Sequence, residues 1–111
     1  MTPSLASTTT ERTISAAEAA KIAELFRLMG DTTRTRILFT LLDCGELYVS
    51  RIAELVEASE TTVSHALRLL RAGHVVSSRR EGRHIAYSLA DDHVRYVLSM
   101  TRDHLDHQDT P

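Results

Sequence analysis

The sequence predicts a mainly α-helical fold with a single β-hairpin, in the order α-α-α-α-β-β-α, and three observations carry that expectation. Apolar residues recur at helical spacing in four successive segments before residue 72 and again after residue 91. The third and fourth of those segments are joined by only three or four residues, the geometry of a helix-turn-helix. The period then changes: "HVVSSRR" and "RHIAYSL" are β-prone runs separated by "EG", the pattern of a two-stranded hairpin.

Each element has a local reason. The first helix is expected to start at Ser15, because "SAAE" is a capping box in which Ser15 and Glu18 can satisfy each other's backbone N–H groups. Ile22, Leu25, Phe26 and Met29 give it one apolar face, and Gly30 ends it. Asp31 can cap a second helix, "TTRTRILFTLLD", with Ile37, Leu38, Leu41 and Leu42 inward. "CGEL" reads as a break. A short helix, "VSRIAELV", follows with Ile52, Leu55 and Val56 apolar, and Ser59 is the expected N-cap of the next one. There Val63, Leu67 and Leu70 recur at helical spacing, which turns Thr61, Thr62, Ser64, His65 and Arg68 outward. After the hairpin, Asp91 or Asp92 caps a last helix with Val94, Val97, Leu98, Met100 and Leu105 as apolar positions. This order describes a winged helix-turn-helix with an additional helix at either end, mainly α with a β-hairpin wing.

Length and composition bound what such a domain can be. A chain of 111 residues is one domain, and one this small leaves much apolar surface uncovered, so a homodimer formed through the terminal helices is expected. With 42% apolar and 25% charged residues the chain reads as an ordinary globular protein, and its apolar runs are far too short to span a membrane. Residues 1–14, rich in Ser and Thr and without a basic region followed by an apolar run, are expected to be a disordered tail rather than a secretory signal. The domain is then residues 15–108, with residues 109–111 as a short C-terminal tail. The one cysteine, Cys44, cannot form an internal disulfide and fits a reducing cytoplasm, the expected location.

The net charge of −2 conceals an asymmetry. Residues 68–83 hold five arginines, at 68, 71, 79, 80 and 83, against one acid, Glu81; from residue 84 onward there are two arginines and five aspartates. One basic segment in a near-neutral chain points to a polyanion partner for that segment. Short polar side chains on the exposed face of the fourth helix suit the major groove of double-stranded DNA: Thr61, Thr62, Ser64 and His65 would face base edges, while Arg68 and Arg71 meet phosphates. Arg79, Arg80 and Arg83, with His84, lie near the hairpin tip and are expected to touch the DNA backbone or minor groove.

The last helix carries three of the six histidines, at 93, 104 and 107. At about 100° per residue His104 lies roughly 20° from the direction of His93, and His107 roughly −40°, so all three share one stripe. Yet at about 1.5 Å per residue His93 and His104 are some 16 Å apart along the axis, whereas zinc–nitrogen bonds are about 2 Å long. One chain cannot close a site from them; two antiparallel copies of the helix can. Asp91 and His93 of one chain would then face His104 and His107 of the other. Three nitrogens and one oxygen suit tetrahedral zinc, Zn2+. Cobalt accepts the same geometry, and nickel or cobalt as the natural signal would ask for more donors than four. A metal-independent regulator that uses the last helix only to dimerise is the other open reading. Catalysis is not expected, because four protein ligands leave no position for water.

The segments "LMGDTTRTRILFTLL", "ELYVSRIAEL", "TVSHALRLLRAGHVV", "REGRHIAYSL" and the closing "DDH…H..H" together resemble the ArsR/SmtB family of bacterial metal-responsive repressors over residues 15–107. The resemblance implies a dimer that binds inverted-repeat operators without metal and releases them when metal binds, derepressing efflux or sequestration genes. It places metal ligands at Asp91, His93, His104 and His107 and the recognition helix at residues 59–71. The family's second site uses cysteines in a segment like "ELCVC"; here the matching positions are Tyr48 and Ser50, so that thiolate site is expected to be absent, and with it arsenite, lead or cadmium as the main signal. Relatives of this type place a coupling contact where His74 opens the first wing strand. On that resemblance, a metal-bound His104 would donate its second N–H to the main-chain carbonyl of His74 and tie sensor helix to reading head.

Overall fold

The computed structural model describes residues 11–109. Its elements are α1 (Ala16–Met29), α2 (Thr32–Cys44), β1 (Leu47–Tyr48), α3 (Val49–Val56), α4 (Glu60–Ala72), β2 (Val76–Glu81), β3 (His84–Leu89) and α5 (Asp92–Asp109). This is the winged helix-turn-helix with a helix at each end. Within the range expected for the N-terminal tail, residues 1–10 lie outside the described residues, as do the last two of the chain.

Local chemistry sets the helix boundaries. Ser15, Asp31, Ser59 and Asp91 each accept a hydrogen bond from the backbone N–H three residues on, so all four long helices start on a side-chain cap. The end of α1 is closed by α2: Arg34 Nε donates to the carbonyl of Leu28 and Thr35 Oγ1 to that of Met29, both at 2.6 Å. Arg36 does the same for α3, donating from Nη1 to the Val56 carbonyl at 2.9 Å, and so holds the turn of the helix-turn-helix from outside.

The core is built from the middle of the chain. Ile37, Leu38, Ile52, Val63, Leu67 and Leu70 are wholly buried, and Val75, Val76, Tyr87 and Leu89 of the wing close over them. The terminal helices contribute little: α1 buries no residue, and Leu98 is the one buried residue of α5 among those described. The apolar faces expected for these two helices are present but uncovered. Phe26 is 64% exposed and Met100 52%, alongside Ile22, Leu25, Val97 and Leu105.

One strand was not expected. Within the stretch read as a break, Leu47–Tyr48 pairs antiparallel with β3 (Leu47 opposite Tyr87, Tyr48 opposite Ala86), giving a three-stranded sheet in the order β1-β3-β2. Two residues are too few to show an alternating pattern, so a strand of this kind is visible only through its partner. The β2–β3 hairpin turns on Gly82 and Arg83, with Gly82 at φ 63° in the first loop position, where two-residue hairpins favour glycine.

The junction from α4 to the wing is a Schellman closure: His74 N–H donates to the Arg71 carbonyl (3.0 Å) and Val75 N–H to that of Leu70 (2.9 Å). The left-handed residue in this motif is usually glycine, yet here it is His74, at φ 60°. Glycine stands one position earlier, where a β-carbon would lie 2.3 Å from Cδ2 of Leu28 in α1, so the end of that leucine would have to move. The left-handed conformation costs a residue with a β-carbon about 1–2 kcal/mol.

Two outcomes are expected. His74→Gly raises stability by about 1 kcal/mol in denaturant unfolding at fixed protein concentration, by relieving that strain. Phe26→Asp, on a face that none of the described residues covers, weakens the homodimer at least tenfold in sedimentation equilibrium, since burying a phenylalanine contributes about 1.5–3 kcal/mol.

Candidate nucleic-acid interface and metal half-sites

The recognition helix presents the expected side chains to solvent. Thr61, Thr62, His65, Arg68 and Arg71 are exposed and Ser64 half-buried, while Val63, Ala66, Leu67 and Leu70 hold the opposite face in the core. Thr62 also belongs to the cap of its own helix, its Oγ1 accepting from Ser59 Oγ at 2.9 Å. The structure adds a feature that periodicity could not show. Arg68 and Arg71 stand on one wall of an open cleft whose other wall is β2, with His74, Ser77 and Ser78 completing it. Its two guanidiniums, the His74 imidazole and two hydroxyls make it suited to a sugar–phosphate backbone. Ser77 and Ser78 went unmarked in the sequence because serine in a strand carries no signal of its own.

The wing arginines divide into two groups. Arg80 and Arg83 are exposed and form no ion pair among the described residues. Arg79 instead binds Glu46 in a bidentate pair, Nε–Oε2 at 2.8 Å and Nη2–Oε1 at 2.7 Å, and reaches Glu81 through Nη1 at 2.7 Å. Tyr48 donates its hydroxyl to Glu81, and its ring lies 5.1 Å from that of His84. Hydrogen bonding to Arg79 holds the Glu46 carboxyl below the usual glutamate range; bonds from Tyr48 and then Arg79 do so for Glu81. The hydrogen bond to Glu81 pushes the Tyr48 phenol up.

On α5 the four candidate ligands fall at the two ends of one unbroken helix. Asp91 caps it through Oδ1, which accepts from Val94 N–H at 3.0 Å and lies 3.7 Å from Nδ1 of His93. The His93 side chain is 98% exposed. Asp91 Oδ1 is thus at once the helix cap and the carboxylate oxygen that adjoins His93. At the far end His104 and His107 are exposed, and Nδ1 of His107 lies 2.9 Å from the Asp103 carbonyl, which leaves its Nε2 outward. Among the described residues no three metal-capable side chains of one chain converge.

His93 and His74 line one small apolar groove with Leu25, Met29, Val94 and Val97, between α1, the α4–β2 junction and α5. Among the described residues the His74 carbonyl accepts no backbone hydrogen bond. The C-terminal half of α5 is fastened by Arg102, which binds Asp43 of α2 at 2.9 and 3.1 Å and lies 4.8 Å over the Phe39 ring. That bond holds the Asp43 carboxyl below its usual range. Cys44, at the end of α2, is exposed and free. No helix among the described residues is long and apolar enough to cross a membrane.

Known proteins share this arrangement. Residues 31–78, from the α2 cap into β2, match the family described as "Bacterial regulatory protein, arsR family". The chain is 40% identical over 92 residues to a transcriptional repressor SmtB homolog of Synechocystis, covering 83% of this chain and 69% of that protein. It is 39% identical over 77 residues to a cadmium resistance transcriptional regulatory protein, a CadC homolog of Staphylococcus aureus, covering 69% of this chain and 64%, just under two thirds, of the relative. The homodimeric winged helix-turn-helix DNA-binding domain of a Mycobacterium bovis protein superposes with a TM-score of 0.76 at 27% identity, over 90% of this chain and 94% of that one. A helix-turn-helix with a cationic cleft and wing, flanked by terminal helices with exposed apolar faces, together with the 40% identity to the SmtB homolog, places this chain in the ArsR family of bacterial winged helix-turn-helix transcriptional regulators, DNA-binding proteins and not enzymes.

Proposed function

We propose that the chain is a metal-responsive repressor whose signal is zinc. The metal-free dimer binds an inverted-repeat operator, and zinc bound between the subunits releases it, derepressing genes for metal efflux or sequestration. The single observation that carries this reading is the disposition of donors along α5. A carboxylate at the N-terminal cap adjoins His93, and two exposed imidazoles lie on the same stripe at the other end of an unbroken helix. Asp91 and His93 of one protomer, with the partner's His104 and the partner's His107, make a set of one oxygen and three nitrogens. Zinc takes such a set as a closed tetrahedral site. Nickel or cobalt as the natural signal would need further donors, and around and beyond His104 and His107 the sequence offers only Asp103, Asp106, Gln108 and Asp109.

Softer metals fit this chain poorly. Cadmium enters the name of one relative, but the positions at which the resemblance puts thiolates are Tyr48 and Ser50, and the Tyr48 hydroxyl is already spent on Glu81. The link from sensor to reading head runs through His74. It lines a groove with His93, so the partner's His104, sharing a metal with His93, would come close to a carbonyl that has no backbone partner. An N–H bond from that imidazole to the His74 carbonyl would favour one α5–wing arrangement, and about 1–3 kcal/mol between the two arrangements makes an effective switch.

Zinc, cobalt and nickel titrated into the dimer, with affinity measured at fixed salt for the DNA upstream of its own coding sequence, test the reading. Zinc is expected to weaken binding by tenfold or more; unchanged affinity with every metal would leave a metal-independent regulator. Asp91→Asn separates ligation from capping. Asparagine caps about as well as aspartate, so the thermal midpoint of the metal-free dimer stays put while zinc affinity, read by competition with a chelator, drops at least tenfold. His104→Gln that retained both zinc affinity and zinc-induced release would exclude the His74 route.

A further inference from the structure

Arg79, Glu46, Glu81, Tyr48 and His84 form a cluster that neither DNA contact nor metal binding has absorbed. We propose that Arg79 is a positioning residue, which clamps the wing to the head of the helix-turn-helix and makes no contact with DNA, so that Arg80 and Arg83 carry the wing's charge toward the phosphates. The proposal rests on the DNA-binding role of the fold and is independent of which metal, if any, the protein senses.

Topology makes the clamp possible. Tyr48 and Arg79 both lie opposite Ala86, one on each side of β3, so the three occupy one row across the sheet. Ala86 is buried and small, and residues of one row share a face. Arg79 and Tyr48 can therefore reach over it toward each other's neighbours: Arg79 binds Glu46 beside β1, and Tyr48 binds Glu81 on β2. Two reciprocal links thus join β2 to the segment that leads directly into α3, since Tyr48 is the residue preceding its first turn. Arg80 lies opposite Ile85, on the other face, and Arg83 sits in the hairpin loop.

Charge decides against a phosphate site. The ion-paired trio holds two carboxylates, Glu46 and Glu81, against the Arg79 guanidinium, while Arg51 on the rim of the same hollow is turned to Glu54. The hydrogen bonds that hold both carboxyls below their usual range keep them ionised at neutral pH. A phosphate approaching Arg79 would have to displace a bidentate partner and face a second carboxylate. Exposed ion pairs contribute little to stability, so what this cluster supplies is orientation, a fixed angle between wing and recognition helix.

Salt dependence of DNA binding separates the two roles. Removing one cation that meets a phosphate lowers the slope of log K against log salt by about 0.9, whereas a misaligned wing weakens binding without taking away a particular charge. The probe is a duplex of the DNA upstream of the chain's own coding sequence, with a mixed-sequence duplex of equal length alongside, and folding of each variant is checked by circular dichroism. Expected are a several-fold loss of affinity for Arg79→Gln with the slope unchanged, a similar loss for Glu46→Gln, and no further loss in the double variant, because both changes open one clamp. Arg80→Gln and Arg83→Gln each lower the slope. A lowered slope in Arg79→Gln, or tighter binding in Glu46→Gln as a freed arginine reaches phosphate, would overturn the proposal. So would an Arg79→Gln protein that binds both duplexes as the parent does. Glu46→Gln, a near-isosteric change at an exposed site, keeps the test decisive should Arg79→Gln fold poorly.

Discussion

A chain of this size cannot cover its own terminal helices, and most of its architecture follows from that constraint. The core of α2, α3, α4 and the wing is closed and dry, with Ile37, Leu38, Leu67 and Leu70 at its centre. By contrast α1 has no fully buried residue and only Leu28 and Met29 pack against the core, while α5 anchors itself by Leu98 and the Arg102–Asp43 pair. The apolar stripes carrying Phe26, Val97 and Met100 are left exposed, and a solved domain of the same fold is homodimeric. The helix that completes the dimer is also the one that bears the acid and three histidines. The exposed apolar stripe and the candidate metal donors therefore lie on one helix, with the donors split between its two ends.

The DNA-facing side is organised by a division of labour among cations. Arg68 and Arg71 look into the cleft between recognition helix and wing, Arg80 and Arg83 form no ion pair among the described residues, and Arg79 is held by two carboxylates. Counting arginines would assign five equal contacts to residues 68–83. Position on the pleat distinguishes them, because neighbours along a strand point to opposite faces. The left-handed His74 lies where these two halves of the molecule join, between the basic cleft and the α5 groove. Glycine would suit that conformation better, yet the neighbouring glycine is at position 73, where a β-carbon would crowd the Leu28 side chain.

Much of this was legible in the chain itself. Helix starts at Ser15, Asp31, Ser59 and the Asp91 region, the inward faces of α2 to α4, the short turn before Ser59 and the period change at the wing all depend on neighbours a few residues apart, and the structure has them. So does the stripe of His93, His104 and His107, which follows from helical geometry alone. The two-residue β1, the Glu46–Arg79 and Tyr48–Glu81 links across 33 residues, and the Asp43–Arg102 pair across 59 escaped it. Nothing local marks such contacts: each depends on where the backbone returns.

By itself, then, the sequence determined the fold class, the polar face of α4 and the spacing of donors along α5, because these are periodic properties of single elements. Only the tertiary structure decided that Arg79 is ion-paired to Glu46 and Glu81, that Asp91 is at once helix cap and neighbour of His93, and that His74 and His93 share one groove. Those outcomes depend on strand register, on close approach between helices and on the direction in which each element leaves the core, and these are settled only when distant segments pack together.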